Sequence, residues 1–319
     1  MITNKEDIPL TLAVWAVDDD YDYVNQENYI SVTQLIKPIK QIILGMRVTD
    51  EDTDVSDLIN AALGTCIHSG IEKAWKFNYK KNLKSLGYSD ELINKIKINP
   101  KKEDLKNTDI PIYIEQRNTI KVDDYTIGGK FDMVADGILH DNKSTSVYTW
   151  IYGGRDKDYC LQGSLYKLIN KDIIKEDFIR INYIFTDWQK SAAAQNEKYP
   201  LNRLVCKDIP LLSLEETQKF VEDKVKQIKI YKDFPEEKLP RCTDEDLWRA
   251  EPKYKYYADP TKTSGRSTKN FTSLEEANEY KLAKRNKGIV IVVPGEVKRC
   301  MYCRAYNICK QRREYFPND

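Results

Sequence analysis

The chain has no apolar stretch able to cross a bilayer. Runs such as Ile289–Val293 are far shorter than the roughly 20 residues a membrane-spanning helix needs, so no membrane partner is expected. It also has almost no net charge, +1 from 51 Lys and Arg against 50 Asp and Glu, which excludes a polycation that coats nucleic acid along its whole surface. Its start, Met-Ile-Thr-Asn-Lys-Glu-Asp, lacks the basic and apolar segments of a secretory leader. A cytoplasmic protein with reduced thiols is therefore expected. No stretch repeats another, so the fold is not built by stacking units. The 319 residues are 41% apolar and 32% charged, which gives a globular chain with ample core. Three sections are expected: an N-terminal segment over 1–50, a core over 51–235 and a C-terminal section over 236–319.

Charge is unevenly placed within this neutral total. Residues 281–313 carry ten Lys and Arg side chains against one acid, Glu296. Such a patch can bind phosphates, or it can be a solvated face. Residues 31–44 read as two helical pieces broken at Pro38, and 56–75 as a helix whose apolar face is Leu58, Ala62 and the row Leu63-Ile67-Ile71. Residues 112–121 and 178–185 read as strands. The signatures Ser213-Leu-Glu-Glu216 and Ser273-Leu-Glu-Glu276 each predict a helix start.

The chain is organised around residues 127–145. Asp136-Gly137 is a two-residue hairpin signal, because a type I′ turn needs positive φ at both central positions. With that loop, Ala135 pairs with Ile138, Val134 with Leu139 and Met133 with His140. The next pair would be Asp132 and Asp141, with Cβ atoms roughly 5 Å apart, and facing like charges destabilise a sheet. A divalent cation held between them would compensate. Lys143, two residues beyond Asp141, projects from the same face.

Gly129-Lys-Phe-Asp132 followed by Asp141-Asn-Lys143 resembles the core of the PD-(D/E)XK nucleases. Three flanking features extend the likeness to the RecB-like branch over roughly residues 56–310. The Gly64-x-x-x-His68-x-x-x-Glu72 pattern lies upstream on the predicted helix. Glu115 and Arg117 lie on the strand before the hairpin. Gln162 and Tyr166 stand four apart on a helix after it. The resemblance implies an α/β fold with a mixed central sheet flanked by helices. It implies Mg²⁺ or Mn²⁺ held by His68, Asp132, Asp141 and Asn142, with Glu115 reaching the metal through water and Arg117 reaching a phosphate. Asp132, Asp141 and Lys143 would form the catalytic core, and Gln162 and Tyr166 would face the DNA. The implied function is a metal-dependent exonuclease acting in DNA replication or recombination, with a replication or recombination protein as a further partner. An endonuclease of the same fold and a non-catalytic nucleic-acid-binding module with a zinc site are the alternatives.

Seven cysteines remain to be placed. In a reduced compartment, Cys300-x₂-Cys303-x₅-Cys309 suggests metal ligation. A fourth thiolate is required. Cys242, in the same section, is the expected fourth ligand and Cys66 the alternative, while Cys160 and Cys206 read as buried apolar residues. Spacing alone leaves zinc and a [4Fe–4S] cluster open. A similar Cys tail holds an iron–sulfur cluster in RecB-type nucleases, which favours the cluster. In some of these the fourth Cys precedes the His motif, and no Cys precedes Cys66 here. Cys242-Thr-Asp-Glu-Asp-Leu-Trp248 is closer to the element found in phage-type members.

Overall fold

In a computed structural model of the chain, which describes residues 2–19, 21–49 and 53–317, Pro38 divides two packing units. One contains Met1–Lys37 and Asp50–Lys229, the other Pro38–Thr49 and Ile230–Asp319. The N-terminal segment expected over 1–50 is thus shared between them. No helix among the described residues is long and apolar enough to cross a membrane.

In the first unit, β1 (Ile2–Thr3) and α1 (Leu10–Ala16) precede β2 (Tyr29–Ser31) and α2 (Val32–Leu35). Ser31 opens α2 with a capping box: its hydroxyl accepts from Gln34 N–H, and the Gln34 side chain accepts from Ser31 N–H. Pro38 then precedes α3 (Ile39–Met46) of the second unit, so the break falls where the ring requires it. β3 (Thr53–Asp54) pairs with β1 and leads into α4 (Val55–Phe77). Only Val55 and Ala62 of α4 are buried, and Leu63 is exposed. Of the apolar face expected there, Ala62 is buried, Leu58, Ile67 and Ile71 are half-buried, and Leu63 turns to solvent. The helix rides on the surface and holds His68 half-buried.

Short helices α5 (Tyr79–Ser85) and α6 (Asp90–Lys95) precede β4 (Ile96–Ile98), β5 (Ile110–Val122), β6 (Tyr125–Ala135) and β7 (Ile138–Thr145). The crossover α7 (Val147–Tyr152) and α8 (Asp156–Ile169) leads to β8 (Phe178–Phe185). After α9 (Lys190–Ala193) come β9 (Leu204–Pro210) and α10 (Leu214–Tyr231). The sheet runs β4-β5-β6-β7-β8-β9, with β2 added to β6. β7 and β8 are parallel, as a helical crossover allows, while β5, β6 and β7 form an antiparallel meander. This is the expected α/β fold with a mixed central sheet. Its interior includes Ile127, Phe131, Val134, Leu139, Ile179 and Ile181, all essentially inaccessible.

In the second unit, β10 (Lys253–Tyr257), β11 (Lys269–Phe271), α11 (Leu274–Ala283) and β12 (Ile289–Val293) build a small antiparallel sheet with one helix. Tyr280 of α11 packs edge-on against Tyr256 of the sheet, with ring centroids 5.1 Å apart.

The centre of β6 has an unusual environment. β2 pairs with residues 126–128 of its second edge and β7 with residues 133–135. The stretch Gly129–Asp132 between them has no strand on that side. Tyr166 of α8 fills the gap, its hydroxyl donating to the carbonyl of Lys130 at 3.0 Å. A Cβ on Gly129 would lie 2.6 Å from Tyr166 Cε1 and 2.9 Å from Val32 Cγ2. Gly129→Ala should therefore destabilise the unit by about 1–3 kcal/mol through overpacking. Chemical denaturation should show a lower midpoint with an unchanged slope.

Candidate functional site

Asp136 and Gly137 adopt φ of +49° and +83°, and Met133, Val134 and Ala135 pair with His140, Leu139 and Ile138. The hairpin forms in the expected register, and then it stops. Asp132 and Asp141 do not pair across the ladder. The strands part there, and the Asp132 carboxylate instead accepts a hydrogen bond from Asn142 N–H at 2.7 Å. The repulsion that made the pair conspicuous in the sequence accounts for the parting.

The other neighbour of Asp132 is also irregular. Pairing of β5 with β6 is continuous from Ile112 to Val122 except at Glu115, opposite Asp132. Glu115 has φ +52°, a left-handed conformation that costs a non-glycine residue about 1–3 kcal/mol. Asn99 stabilises the distortion: its side chain accepts from Ile114 N–H at 2.7 Å and from the Gln116 amide at 3.2 Å. Asp132 therefore lies at a break in the ladder on both sides.

Three groups converge at this break. His68, Glu115 and Asp132 each offer a ligand atom, all within 4.8 Å of one another. His68 Nδ1 is 3.3 Å from Asp132 Oδ2. Asp141 lies outside that trio and is almost fully buried. Gln162 donates to its Oδ1 at 3.1 Å, and the Lys143 ammonium stands 2.6 Å from its Oδ2. Both oxygens of this buried carboxylate are thus engaged, Oδ1 by Gln162 and Oδ2 by Lys143. Burial, and then the charge of Asp141, raise the Asp132 carboxyl to about 7, against the opposing pull of His68 and Lys143. Burial works against the Lys143 ammonium, but Asp141 and Asp132 outweigh it and hold Lys143 above its ordinary range and charged.

Asn142 occupies the alternate face of β7. Its side-chain oxygen accepts from Asn182 at 3.0 Å, so only its main chain turns to Asp132. Gln162 and Tyr166, implied to face DNA, are both buried, one bound to Asp141 and the other to Lys130. They wedge the parted strands and position the site. Glu72 pairs with Lys76 one turn along α4. Arg117 lies beside the site and bonds to Asp22. Asn99, Lys130 and Asn182 were not anticipated. Lys130, two residues before Asp132, carried a usable signal in the period-two alternation of strands. Asn99 and Asn182 act through pairings distant in sequence.

In the second unit, Cys242, Cys300, Cys303 and Cys309 line one cavity, together with Lys40, Leu247 and Gln311. All four are free thiols. Gln311 grips the Cys242 backbone from both sides, accepting from its N–H at 3.0 Å and donating to its carbonyl at 2.9 Å. Leu247 O accepts from the N–H groups of Lys298 and Arg299, which ties the turn after Cys242 to the Cys300 turn. Burial pushes the Cys242 thiol up to about 12 and Cys300 to about 11. Cys66 lies on α4, where Trp15 Nε1 donates to its sulfur at 3.1 Å. Cys206 is exposed and Cys160 half-buried, so neither is the buried apolar residue expected. Both stand on elements with a solvent-facing side.

No family model matches the chain, and no curated protein matches it. A solved structure described as that of SSO0001 is similar at 17% identity over 68% of this chain and 84% of that one, with a TM-score of 0.39. The functional reading therefore rests on the residues of this chain.

The raised Asp132 carboxyl links the site to stability. The native state holds this proton more tightly than the unfolded chain, so metal-free stability falls as pH rises from the ordinary carboxylate range through about 7. Asp132→Asn keeps an acceptor for Asn142 N–H and removes the charge. In EDTA it should be about 1–3 kcal/mol more stable than wild type at pH 8, and no more stable at pH 4. Thermal melts across pH check this. In the second unit, Gln311→Ala should cost about 1–3 kcal/mol, because two main-chain groups of Cys242 lose their partners. Melting curves with metal analysis of the same samples test that loss.

Proposed function

We propose that the chain is a Mg²⁺- or Mn²⁺-dependent deoxyribonuclease of the PD-(D/E)XK type, RecB-like branch, hydrolysing DNA phosphodiesters as an exonuclease. The observation that carries this reading is the convergence of His68, Glu115 and Asp132 within 4.8 Å of one another beside the buried Asp141 and its partner Lys143. A set of hard oxygens and one imidazole fits a divalent cation. His68, Asp132 and Asp141 would hold it, with Glu115 at the margin. The bound ion would neutralise phosphate oxygens and activate a water.

The protein's own groups prepare that chemistry. Asn142 N–H fixes one Asp132 oxygen, while Gln162 and Lys143 orient the two oxygens of Asp141. Lys143 keeps its proton on Nζ and presents positive charge where negative charge develops on the phosphate. Burial of the two carboxylates strengthens every electrostatic contact made there.

The cysteine cavity fits a thiolate-bound group with a structural role. Tetrahedral zinc, with bonds of about 2.3 Å, would draw its sulfurs to roughly 4 Å apart. Among the described residues no three of these sulfurs lie within 4.8 Å of one another. By the resemblance of the Cys tail, Cys242, Cys300, Cys303 and Cys309 would hold a [4Fe–4S] cluster, with zinc as the alternative. DNA in the cytoplasm, with a replication or recombination partner, completes the reading.

Asp141→Asn and Lys143→Ala should each lower Mg²⁺-dependent cleavage of end-labelled DNA by at least about 100-fold, with unchanged circular dichroism. His68→Ala should lose more activity at low metal than at high metal, because it deletes a ligand. Near wild-type cleavage by Asp141→Asn would sink the assignment. Linear DNA degraded while covalently closed circles survive is the result expected of an exonuclease.

A further inference from the structure

The irregular segment before β2 reaches the candidate site. Asp22 is mostly exposed, yet its Oδ1 lies 2.9 Å from Arg117 Nη2 and 3.5 Å from Lys130 Nζ, both on mostly buried side chains. Arg117 Nη2 also donates to the carbonyl of Asp22 at 2.8 Å. The Tyr21 ring lies beside both cations, its centroid 5.5 Å from the Arg117 guanidinium and 5.0 Å from the Lys130 ammonium. Lys130 Nζ continues to Glu115 Oε2 at 3.0 Å, and Glu115 belongs to the trio with His68 and Asp132. The cation pair is thus one contact away from the acidic centre.

Three features show that Asp22 is a poor final partner for these cations. An ion pair with an exposed carboxylate contributes little to stability, so folding alone gives weak reason for it. Residues 21–26 have no regular secondary structure to hold Asp22 in place. Arg117 also uses only part of its fork. Nη2 is bonded, while Nε, on the same edge, is buried with no hydrogen-bond partner among the described residues. That edge suits two oxygens of one anion, as phosphates offer. A phosphodiester carries one negative charge, so it can replace Asp22 without changing the local balance.

We propose that Arg117 and Lys130 form a subsite for a backbone phosphodiester of the DNA strand, and that the Asp22 carboxylate occupies it until the strand displaces it. The choice of DNA as the anion's source rests on the nuclease reading; the anion subsite itself does not. Arg117 and Lys130 would then anchor the phosphate neighbouring the one that is cleaved, and Tyr21 would move aside with Asp22.

Binding, measured apart from cleavage, tests this. A fluorescein-labelled single-stranded DNA oligonucleotide is titrated in EDTA with wild type, Asp22→Asn, and Asp90→Asn as a charge control, since Asp90 is exposed and paired with Lys84. Asp22→Asn should bind roughly three- to ten-fold more tightly than wild type, and Asp90→Asn like wild type. Adding Arg117→Gln, or Lys130→Met should the first variant not fold, should abolish the gain and lower the salt slope by about 1. Inorganic phosphate should raise the melting temperature of Asp22→Asn more than that of wild type. Unchanged or weaker DNA binding by Asp22→Asn, or an equal gain in Asp90→Asn, overturns the subsite. So does equal protection of both proteins by phosphate. Cleavage by wild type with no affinity gain in Asp22→Asn overturns the subsite and spares the nuclease reading. An affinity gain with no cleavage by any variant does the reverse.

Discussion

Two carboxylates on neighbouring strands, close enough to repel, set the architecture around them. Met133–His140 is the last pair that β6 and β7 make, and the strands then part at Asp132 and Asp141. A parted hairpin leaves main-chain groups without ladder partners, and these must be satisfied if buried. α8 meets that requirement at Lys130 O with Tyr166, and Gln162 of the same helix holds the Asp141 carboxylate. Gly129 has no side chain because Tyr166 and Val32 occupy its place. Asn142 N–H turns from the ladder to the Asp132 carboxylate. The local unpairing, the wedge helix and the glycine thus meet at one point in the sheet, beside the two carboxylates.

The same conflict shapes the proposed chemistry. A protein that buries Asp141 and raises the Asp132 carboxyl stores unfavourable free energy in its metal-free form. A bound cation would release it, so affinity for metal and stability are coupled through the same two side chains. The left-handed Glu115 adds backbone strain at the same point. In the second unit, burial pushes the Cys242 and Cys300 thiols well above their ordinary range, which favours neutral sulfur; the proposed metal would have to displace those protons.

The local pattern of the sequence determined a good deal. Asp136-Gly137, the alternation around it and the period of Asp-x-Lys were enough to place the turn, its register and the common face of Asp141 and Lys143, because strand geometry repeats every two residues. Capping signatures at Ser213 and Ser273, and the break at Pro38, marked helix starts that the structure has there, since each acts within one turn of chain. The α/β class was implied by the resemblance that the motifs carry. Tertiary structure alone decided where the hairpin stops pairing, that Gln162 and Tyr166 are buried, and that Leu63 is exposed. It alone brought Asn99, Asn182 and Asp22 to positions 15, 40 and 95 residues away in the chain. Those contacts depend on competition among burial, repulsion and hydrogen bonding across distant segments, and no spacing rule along one strand or helix encodes the outcome.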